Sequence, residues 1–513
     1  MRKPDTTRTL ITTLVVLIAL SLAGTAVFER GRGAALFERG GGAAPGQSPA
    51  APPDQPSIVT ATILQLNDVY EISPVGGDLG GLARVATLRK QLAAEDPNTF
   101  MVLAGDLFSP SALGTARAGP NRSALNGRQI VDVMNRAGMN FATFGNHEFD
   151  LGKADFEQRV KESSFTWISS NVLGAGSKPL PGVPAHQIVT VTNRAGRQFR
   201  LGLFGLTIDS NKRDYIVYAD KLEAARREMD ALKNDTDAVI ALTHLEFEDD
   251  EAVAEALPGL AMIIGGHEHL NILARRGLGL VPIAKADANA KSVYIHRLRY
   301  DTGTRKLTID SQWRPIDAQI ADDPDVEVAV ERWRDAAYAA FRADGFEPDQ
   351  VVTTINEPLD GREETVRNIS TPLTQLIAGA MLDAFPGSDG AIFNSGSIRI
   401  DDTLSPGPIT QYDVLRVLPF GGNVMPVTVP GATLKKIMDV SLGNRNSGGY
   451  LQAAGLAAID TGRTYRIVMN DFLLSGREVN LGFIADPASG SRQLPGDPKE
   501  MRHVVIARLT RGL

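Results

Sequence analysis

Four of the seven histidines of this 513-residue chain sit in three short motifs, each behind an apolar run. Phe144-Gly145-Asn146-His147-Glu148 is the first, Thr243-His244 closes Ala238-Val-Ile-Ala-Leu242, and Gly266-His267-Glu268-His269 closes Ala261-Met-Ile-Ile-Gly265. Two aspartates end similar runs, Asp68 after Ala61–Asn67 and Asp106 after Phe100–Gly105. Buried strands that all end in Asp, Asn or His would bring those side chains together at one sheet edge. Neutral imidazole and carboxylate suit zinc, manganese and iron. The set is too large for one metal and fits two that share a bridging carboxylate. Singly, Asp106 would simply terminate a strand and His244 would be a hydrogen-bonded core histidine; the combination makes those readings poor ones.

The positioning elements are also legible. Residues 58–318 alternate strand-like apolar runs with helical patterns, which implies α/β layering. Gly81–Leu92, Ile130–Ala137 and Lys221–Leu232 have helical spacing. Ile188–Val191 and Phe199–Phe204 predict a hairpin around Asn193-Arg-Ala-Gly196, and Tyr294–Tyr300 with Lys306–Asp310 a second around Asp301-Thr-Gly303. Asp323–Ala343 reads as an interdomain helix. Beyond it the pattern predicts helices at Leu373–Phe385 and Ala432–Leu442, and strands at Gly390–Asn394, Tyr465–Met469 and His503–Leu509. Alternation along a strand predicts that His267 and His269 share one face.

The length implies more than one domain, at ~100–200 residues each. A hydrophobic fraction of 43% with 22% charged residues is that of a globular protein. The net charge of -7 argues against a general nucleic-acid binder, though not against small phosphorylated ligands. The absence of cysteine excludes disulfides, thiolate metal sites and thiol nucleophiles. Arg2, Lys3 and Arg8 precede the uncharged stretch Thr9–Phe28, which predicts an export signal with cleavage after Ala26 or retention as a membrane anchor. The near-repeat of Phe28–Ala35 at Phe37–Ala44 and the Pro/Ala stretch behind it form a linker. The predicted organisation is a signal at 1–27, a linker at 28–57, a first domain at 58–318, an interdomain segment at 319–349 and a second domain at 350–513.

The motifs Leu66-Asn-Asp-Val-Tyr70, Gly105-Asp106, Gly145-Asn-His-Glu-Phe-Asp150, Thr243-His244 and Gly265-Gly-His-Glu-His269, in this order, resemble those of the bacterial and animal 5'-nucleotidase family. The resemblance covers roughly residues 58–513. It implies a four-layer calcineurin-like metallophosphoesterase β-sandwich with flanking helices, followed by a smaller mixed α/β substrate-binding domain. It also implies two divalent metals, Zn, Mn or similar. One would take Asp68, Asp106 and His269, the other Asp106, Asn146, His244 and His267. His147, oriented by Asp150, would act on the phosphate. Glu148 and Glu268 would support the site rather than ligate.

The first motif departs from the family. Where Asp-x-His is usual, this chain has Asp68-Val-Tyr70, and a phenol of pKa ~10 ligates well only when a metal acidifies it. Three readings stay open: Tyr70 points aside, Tyr70 ligates an iron(III)-like ion as phenolate, or catalysis is weakened. In the second domain, Phe393-Asn-Ser-Gly-Ser-Ile-Arg399 resembles the family's substrate stretch, so Arg399 would meet the phosphate and Asn394 the base. Phe420 and Phe472 would sandwich the base. Arg367 is a second phosphate-side candidate. Glu478 stands near the ribose-binding aspartate position, but in Gly476-Arg-Glu-Val479 rather than Gly-Gly-Asp-Gly.

The resemblance implies an exported, periplasmic or surface-anchored phosphohydrolase that releases phosphate from nucleoside 5'-monophosphates or related nucleotides through a metal-bridging hydroxide. Alternatives are a phosphodiesterase of the 2',3'-cyclic nucleotide type, a monoesterase for another metabolite, and a catalytically weak nucleotide-binding surface protein. The expected partner is a small nucleotide and not nucleic acid, with membrane contact only through an uncleaved N-terminus.

Overall fold

The computed structural model describes residues 57–76 and 78–512, so the predicted signal and nearly all of the linker lie outside the described residues. Two six-stranded sheets form the N-terminal part. In the first, Lys306–Pro315, Ser292–Asp301, Ile58–Leu66, Thr99–Ala104, Phe141–Thr143 and Thr166–Trp167 lie side by side in that order. Ile58–Leu66 runs antiparallel to Ser292–Asp301 but parallel to Thr99–Ala104, which is parallel to Phe141–Thr143. In the second, His186–Thr192, Gln198–Thr207, Ala238–His244, Met262–Gly265, Val281–Lys285 and Ile272–Arg276 follow one another. Its four central strands are parallel and its two edges antiparallel.

Apolar residues from both sheets meet in one core, including Ile63, Val102, Leu203, Ile240 and Ile264. The outer face of the second sheet is covered by the helices Lys221–Leu232 and Phe247–Ala256 through Ala225, Leu232 and Val253. The outer face of the first is covered by the helices Leu82–Glu95 and Arg128–Ala137. The layers are therefore helix, sheet, sheet, helix, as expected. Parallel strands buried on both faces need apolar residues at every position, which explains continuous runs such as Ala238–Leu242 rather than alternation.

The helix Pro324–Ala343 is capped by Asp323, whose side chain accepts from Val326 N, and packs against Leu82–Glu95 and Arg128–Ala137. The apolar layer it belongs to continues into Leu373, Ile377 and Val414, so one core spans both halves of the described residues. There a mixed sheet orders Leu451–Ala454, Gly390–Asn394, Thr464–Asn470, Asn423–Pro430 and Arg492–Gln493. Helices Pro372–Ala384 and Gly431–Gly443 fall where the spacing predicts them, and both predicted hairpins form.

The C-terminal strand expected at His503–Leu509 is instead a helix, Met501–Thr510. The β-branched run Val504-Val505-Ile506 favours a strand locally, but Met501, Val504, Val505 and Leu509 are buried at helical spacing. Glu500 adds the stop signal for the preceding strand, since its carboxylate accepts from His503 N at 2.9 Å and caps the first turn. Ala507 lies on the exposed face. Ala507→Pro is expected to cost ~3 kcal/mol in denaturant unfolding, and Ala507→Val to destabilise by a few tenths. A strand would instead gain from valine, so a stabilised Ala507→Val would contradict the helix.

Candidate metal centre

The parallel strands end at one rim, and the candidate ligands are the residues at or just past their ends. Asp68 and Asp106 both turn there with positive φ, 53° and 59°, a conformation unusual for a residue with a side chain. Asp68 is 0% and Asp106 1% exposed. The ligand atoms of Asp68, Asp106 and His244 lie within 4.8 Å of one another. His244, the last residue of its strand, reaches Asp106 Oδ2 at 3.3 Å, Asp68 Oδ1 at 3.8 Å and Asn146 Oδ1 at 3.2 Å through Nε2. Its Nδ1 faces the Ala104 carbonyl at 2.9 Å. A carbonyl only accepts, so Nδ1 carries a proton and Nε2 is the nitrogen presented to the centre.

The rim is tightly built. Asn67 donates to Asp68 Oδ2 at 2.8 Å and exchanges two hydrogen bonds with Ala286 of the other sheet. Gln65 donates to the Gly265 and Ala284 carbonyls and accepts at 2.8 Å from His296 Nε2, whose pKa burial pushes down to about 3. Glu148 accepts from the backbone N–H groups of Gly145, Asp106, Leu107 and Phe108. Burial and the Asp106 charge lift it to about 7. It thus ties the Asp106 turn to the Asn146–His147 turn, the supporting role its sequence position suggested. A Cβ on Gly145 would lie 2.0 Å from Asp106 Oδ1, so the close approach of those turns requires glycine.

Cationic partners hold the buried carboxylates ionised. Burial opposes the Asp68 charge, but His244 and His269 overcome it and keep the carboxyl below the usual range. The converse holds for His244: burial works against its charge, and Asp106 and Asp68 lift it to about 10. His147 is raised to about 9, against burial, by Asp150 and Asp106. Its Nδ1 sits 2.8 Å from Asp150 Oδ2, and Asp150 also accepts from Ser109 Oγ at 2.9 Å and Asn211 Nδ2 at 2.8 Å. The His147–Asp150 pair that the family resemblance implies is therefore formed.

His267 and His269 lie beyond the strand Met262–Gly265, both with positive φ, so strand alternation does not place them. A tight loop does, and it separates them. His269 Nε2 is 3.3 Å from Asp68 Oδ1, whereas His267 Nε2 is 3.2 Å from Glu246 Oε1. The His267 ring still packs edge-on against His244, with centroids 5.1 Å apart. The loop is anchored by Lys285, which is buried with Asp250 at 2.8 Å, Glu268 at 2.6 Å and the Leu245 carbonyl at 2.7 Å.

Tyr70 does not point aside. Its hydroxyl lies 2.9 Å from Asp106 Oδ2, 3.3 Å from Asp68 Oδ1 and 3.0 Å from His269 Nε2. Burial and the charges of Asp106 and Asp68 push the phenol well above its ordinary pKa, so it is neutral there and donates to a carboxylate. The donor set of two carboxylates, imidazoles, a carboxamide and this phenol, buried and converging, fits divalent cations.

Residues 350–513 bring Arg399 beside this centre. A cavity of about 260 Å³ is lined by Ser109, Asp150, Arg213, Arg399 and Phe420. Phe420 is 56% exposed, with the Arg399 guanidinium 5.6 Å from its ring centre. Phe472 carries Arg477 at 5.3 Å. Asp471 ties the two aromatic loops together by accepting from Asn423 N at 2.9 Å. The Asn394 oxygen is taken by Ser397 Oγ and Asn470 Nδ2. Arg367 pairs with Glu363, which also accepts from Arg399 at 3.2 Å. Glu478 is buried against its own loop, accepting from Val479 N at 2.9 Å, and does not line the cavity. Sequence reasoning missed Glu246, Lys285, Asp250 and Asp401. None of them lies in a recurrent motif, although Asp401 follows Arg399 by only two positions.

Comparison with known proteins is consistent with this geometry. The family model for calcineurin-like phosphoesterase matches residues 61–271, and that for the 5'-nucleotidase C-terminal domain matches residues 351–462. The 5'-nucleotidases of Bos taurus and Homo sapiens are each 26% identical over 451 residues, covering 78% of this chain and 75% of theirs. Among solved structures, a 5'-nucleotidase precursor from Thermus thermophilus is 22% identical with a TM-score of 0.68, covering 88% of this chain and 96% of its own. A sulfate thiohydrolase from Thermus thermophilus is 16% identical with a TM-score of 0.64, covering 90% and 95%. Both structural likenesses speak to fold alone.

Gly145→Ala is expected to push the Asp106 carboxylate out of place. Metal retained after dialysis should fall by most of its wild-type amount while circular dichroism stays unchanged. Retention at the wild-type level would show that the rim tolerates a Cβ there.

Proposed function

The chain belongs to the family in which a calcineurin-like phosphoesterase domain precedes a 5'-nucleotidase C-terminal domain, a family of metal-dependent phosphoester hydrolases, and from that premise we propose that it dephosphorylates nucleoside 5'-monophosphates or related nucleotides. The observation that carries the proposal is the convergence of Asp68, Asp106 and His244 beside the cavity that Arg399 and Phe420 line. On this reading residues 58–318 hold the reacting phosphate and residues 350–513 hold the rest of the substrate.

Asp68, Asp106, Asn146, His244 and His269 would hold two divalent cations, and His267 would join them on leaving Glu246. Tyr70 is a further ligand, a role its central hydroxyl supports over pointing aside. When bound, the cations supply Lewis acidity, activating water and neutralising phosphoryl charge. His147 carries a proton that meets the phosphate or the departing oxygen, and Asp150 fixes the ring by taking Nδ1–H. Arg399 pairs with a phosphate oxygen, exchanging Glu363 for substrate. Phe420, with Phe472, offers apolar faces on which a base stacks, with Asn394 toward the base and Arg367 on the phosphate side. Export rests on Arg2, Lys3, Arg8 and the uncharged Thr9–Phe28, and an intact N-terminus on protein found only in the cytoplasm would overturn it.

The test is phosphate release across nucleoside mono-, di- and cyclic phosphates and an aryl phosphate, with Mn²⁺ or Zn²⁺ added. Nucleoside 5'-monophosphates should be favoured, and Phe420→Ala should cost them ~1–3 kcal/mol while sparing the aryl phosphate. Equal losses would mean that Phe420 only packs. The His147 proton is lost as pH rises through about 9, so turnover should fall there. Asp150→Asn should move that fall ~1–3 units lower, the effect of removing a neighbouring opposite charge. Protein loaded with iron(III) should show a visible charge-transfer band that Tyr70→Phe abolishes, and a band that survives would remove Tyr70 from the ligand set.

A further inference from the structure

The metal centre is not built by the N-terminal half alone. Asp401, in the segment that follows Arg399, reaches His269 with Oδ2 2.9 Å from Nδ1, and its carbonyl lies 3.1 Å from the same nitrogen. Both are acceptors only, so Nδ1 must carry a proton and Nε2 is the nitrogen presented toward Asp68 Oδ1 and the Tyr70 hydroxyl. The Asp401 carboxylate is itself held, because Oδ1 accepts from Glu363 N at 2.6 Å. Its neighbour Asp402 grips Lys291 through both oxygens, at 2.9 and 2.8 Å. Lys291 lies two residues beyond Asn289, which donates to the Asp68 carbonyl at 2.7 Å and accepts from Tyr70 N at 3.1 Å. Asp402 therefore clamps the segment onto the loop that shapes the Asp68 turn, while Asp401 alone touches a candidate ligand.

From this geometry we propose that Asp401 is a positioning residue of the metal centre, fixing the tautomer and orientation of His269 from the C-terminal half of the chain. It rests on His269 being a metal ligand. A carboxylate behind a ligating imidazole also raises its basicity, and loss of such a partner typically weakens metal binding ~10–100-fold. The same segment carries Arg399, linked through Glu363 to the Asp401 carboxylate. Docking of this segment therefore completes the metal side and the phosphate side of the site together. Metal affinity then depends on the Asp401–His269 contact being made, and so is coupled to any movement of the C-terminal half that breaks it.

The experiment is a Mn²⁺ titration of the chelator-treated full chain against a chromophoric competitor, with circular dichroism as the check on folding. Asp401→Ala should weaken one of two equivalents ~10–100-fold and leave the other unchanged. Asp401→Asn keeps an acceptor for Nδ1–H and should lose less, which guards against a poorly folding alanine variant. Asp402→Ala removes the Lys291 pair but not the His269 contact and should leave both constants at wild-type values. His269→Ala should remove one equivalent outright. If His269→Ala does so while Asp401→Ala binds as wild type, the positioning role is overturned and the metal reading stands. If Asp402→Ala weakens binding as much as Asp401→Ala, seating of the segment matters and positioning by Asp401 is overturned. If His269→Ala keeps both equivalents, the metal reading of His269 itself has failed.

Discussion

Two carboxylates, Asp68 and Asp106, are buried within reach of each other at the tips of neighbouring parallel strands, and the rest of the site follows from keeping them ionised there. Isolated buried charges are too costly to persist, so they must be paired and hydrogen-bonded. In this structure the pairing is supplied by His244 and His269, and the remaining oxygens are met by Asn67, Tyr70 and backbone N–H groups. The strained turns at Asp68 and Asp106, the glycine at 145 and the Glu148 staple between two turns are all consequences of that crowding. Such strain persists only where the surroundings over-determine it, and here two sheets and their cross-links do so.

Much of this was readable from residue type and order. Continuous apolar runs ending in Asp, Asn or His define parallel strands whose ends meet, because a doubly covered sheet leaves only its strand ends free for polar chemistry. The His147–Asp150 pair comes from the family resemblance, and one turn of 3-10 helix closes it. The failures have physical causes. Val504–Ile506 favours a strand locally, yet the burial of Met501 and Leu509 at helical intervals and the Glu500 cap decide otherwise. His267 and His269 are two residues apart, which suggested one strand face, but the strand stops at Gly265 and positive φ values send the rings to Asp68 and Glu246 separately. Tyr70 was ambiguous because a phenol has no fixed preference between packing and ligation; its three close polar neighbours resolve where it points. Lys285 and Asp401 were invisible because their partners are distant in sequence, and no short pattern encodes such pairings.

The division of labour between the halves is less complete than their sequences suggest. Arg399 and Phe420 border a cavity with Ser109 and Asp150, and Glu71, next to Tyr70, is buried against Arg416 and accepts from Tyr412 at 2.7 Å. Burial raises the Glu71 pKa, opposed by Arg416 and Tyr412. Both sides of the Tyr70 loop thus depend on C-terminal residues. A site assembled in this way gains the option of controlling chemistry by seating one half on the other.

On the proposed reading, cations take the place of protons among these buried side chains. The direct measurement is calorimetric titration of chelator-treated protein with Mn²⁺ or Zn²⁺ at neutral pH, repeated in buffers of different ionisation enthalpy to count protons. His244 is held at about 10 and His269 well above its ordinary value, by Asp106 and Asp68 and by Asp401 and Asp68 respectively, each against burial, so both carry a proton on Nε2 before metal binds. A ligating imidazole must give that proton up. Binding of two equivalents with net proton release is the expected result, and binding without proton release, or no saturable binding at all, would contradict it.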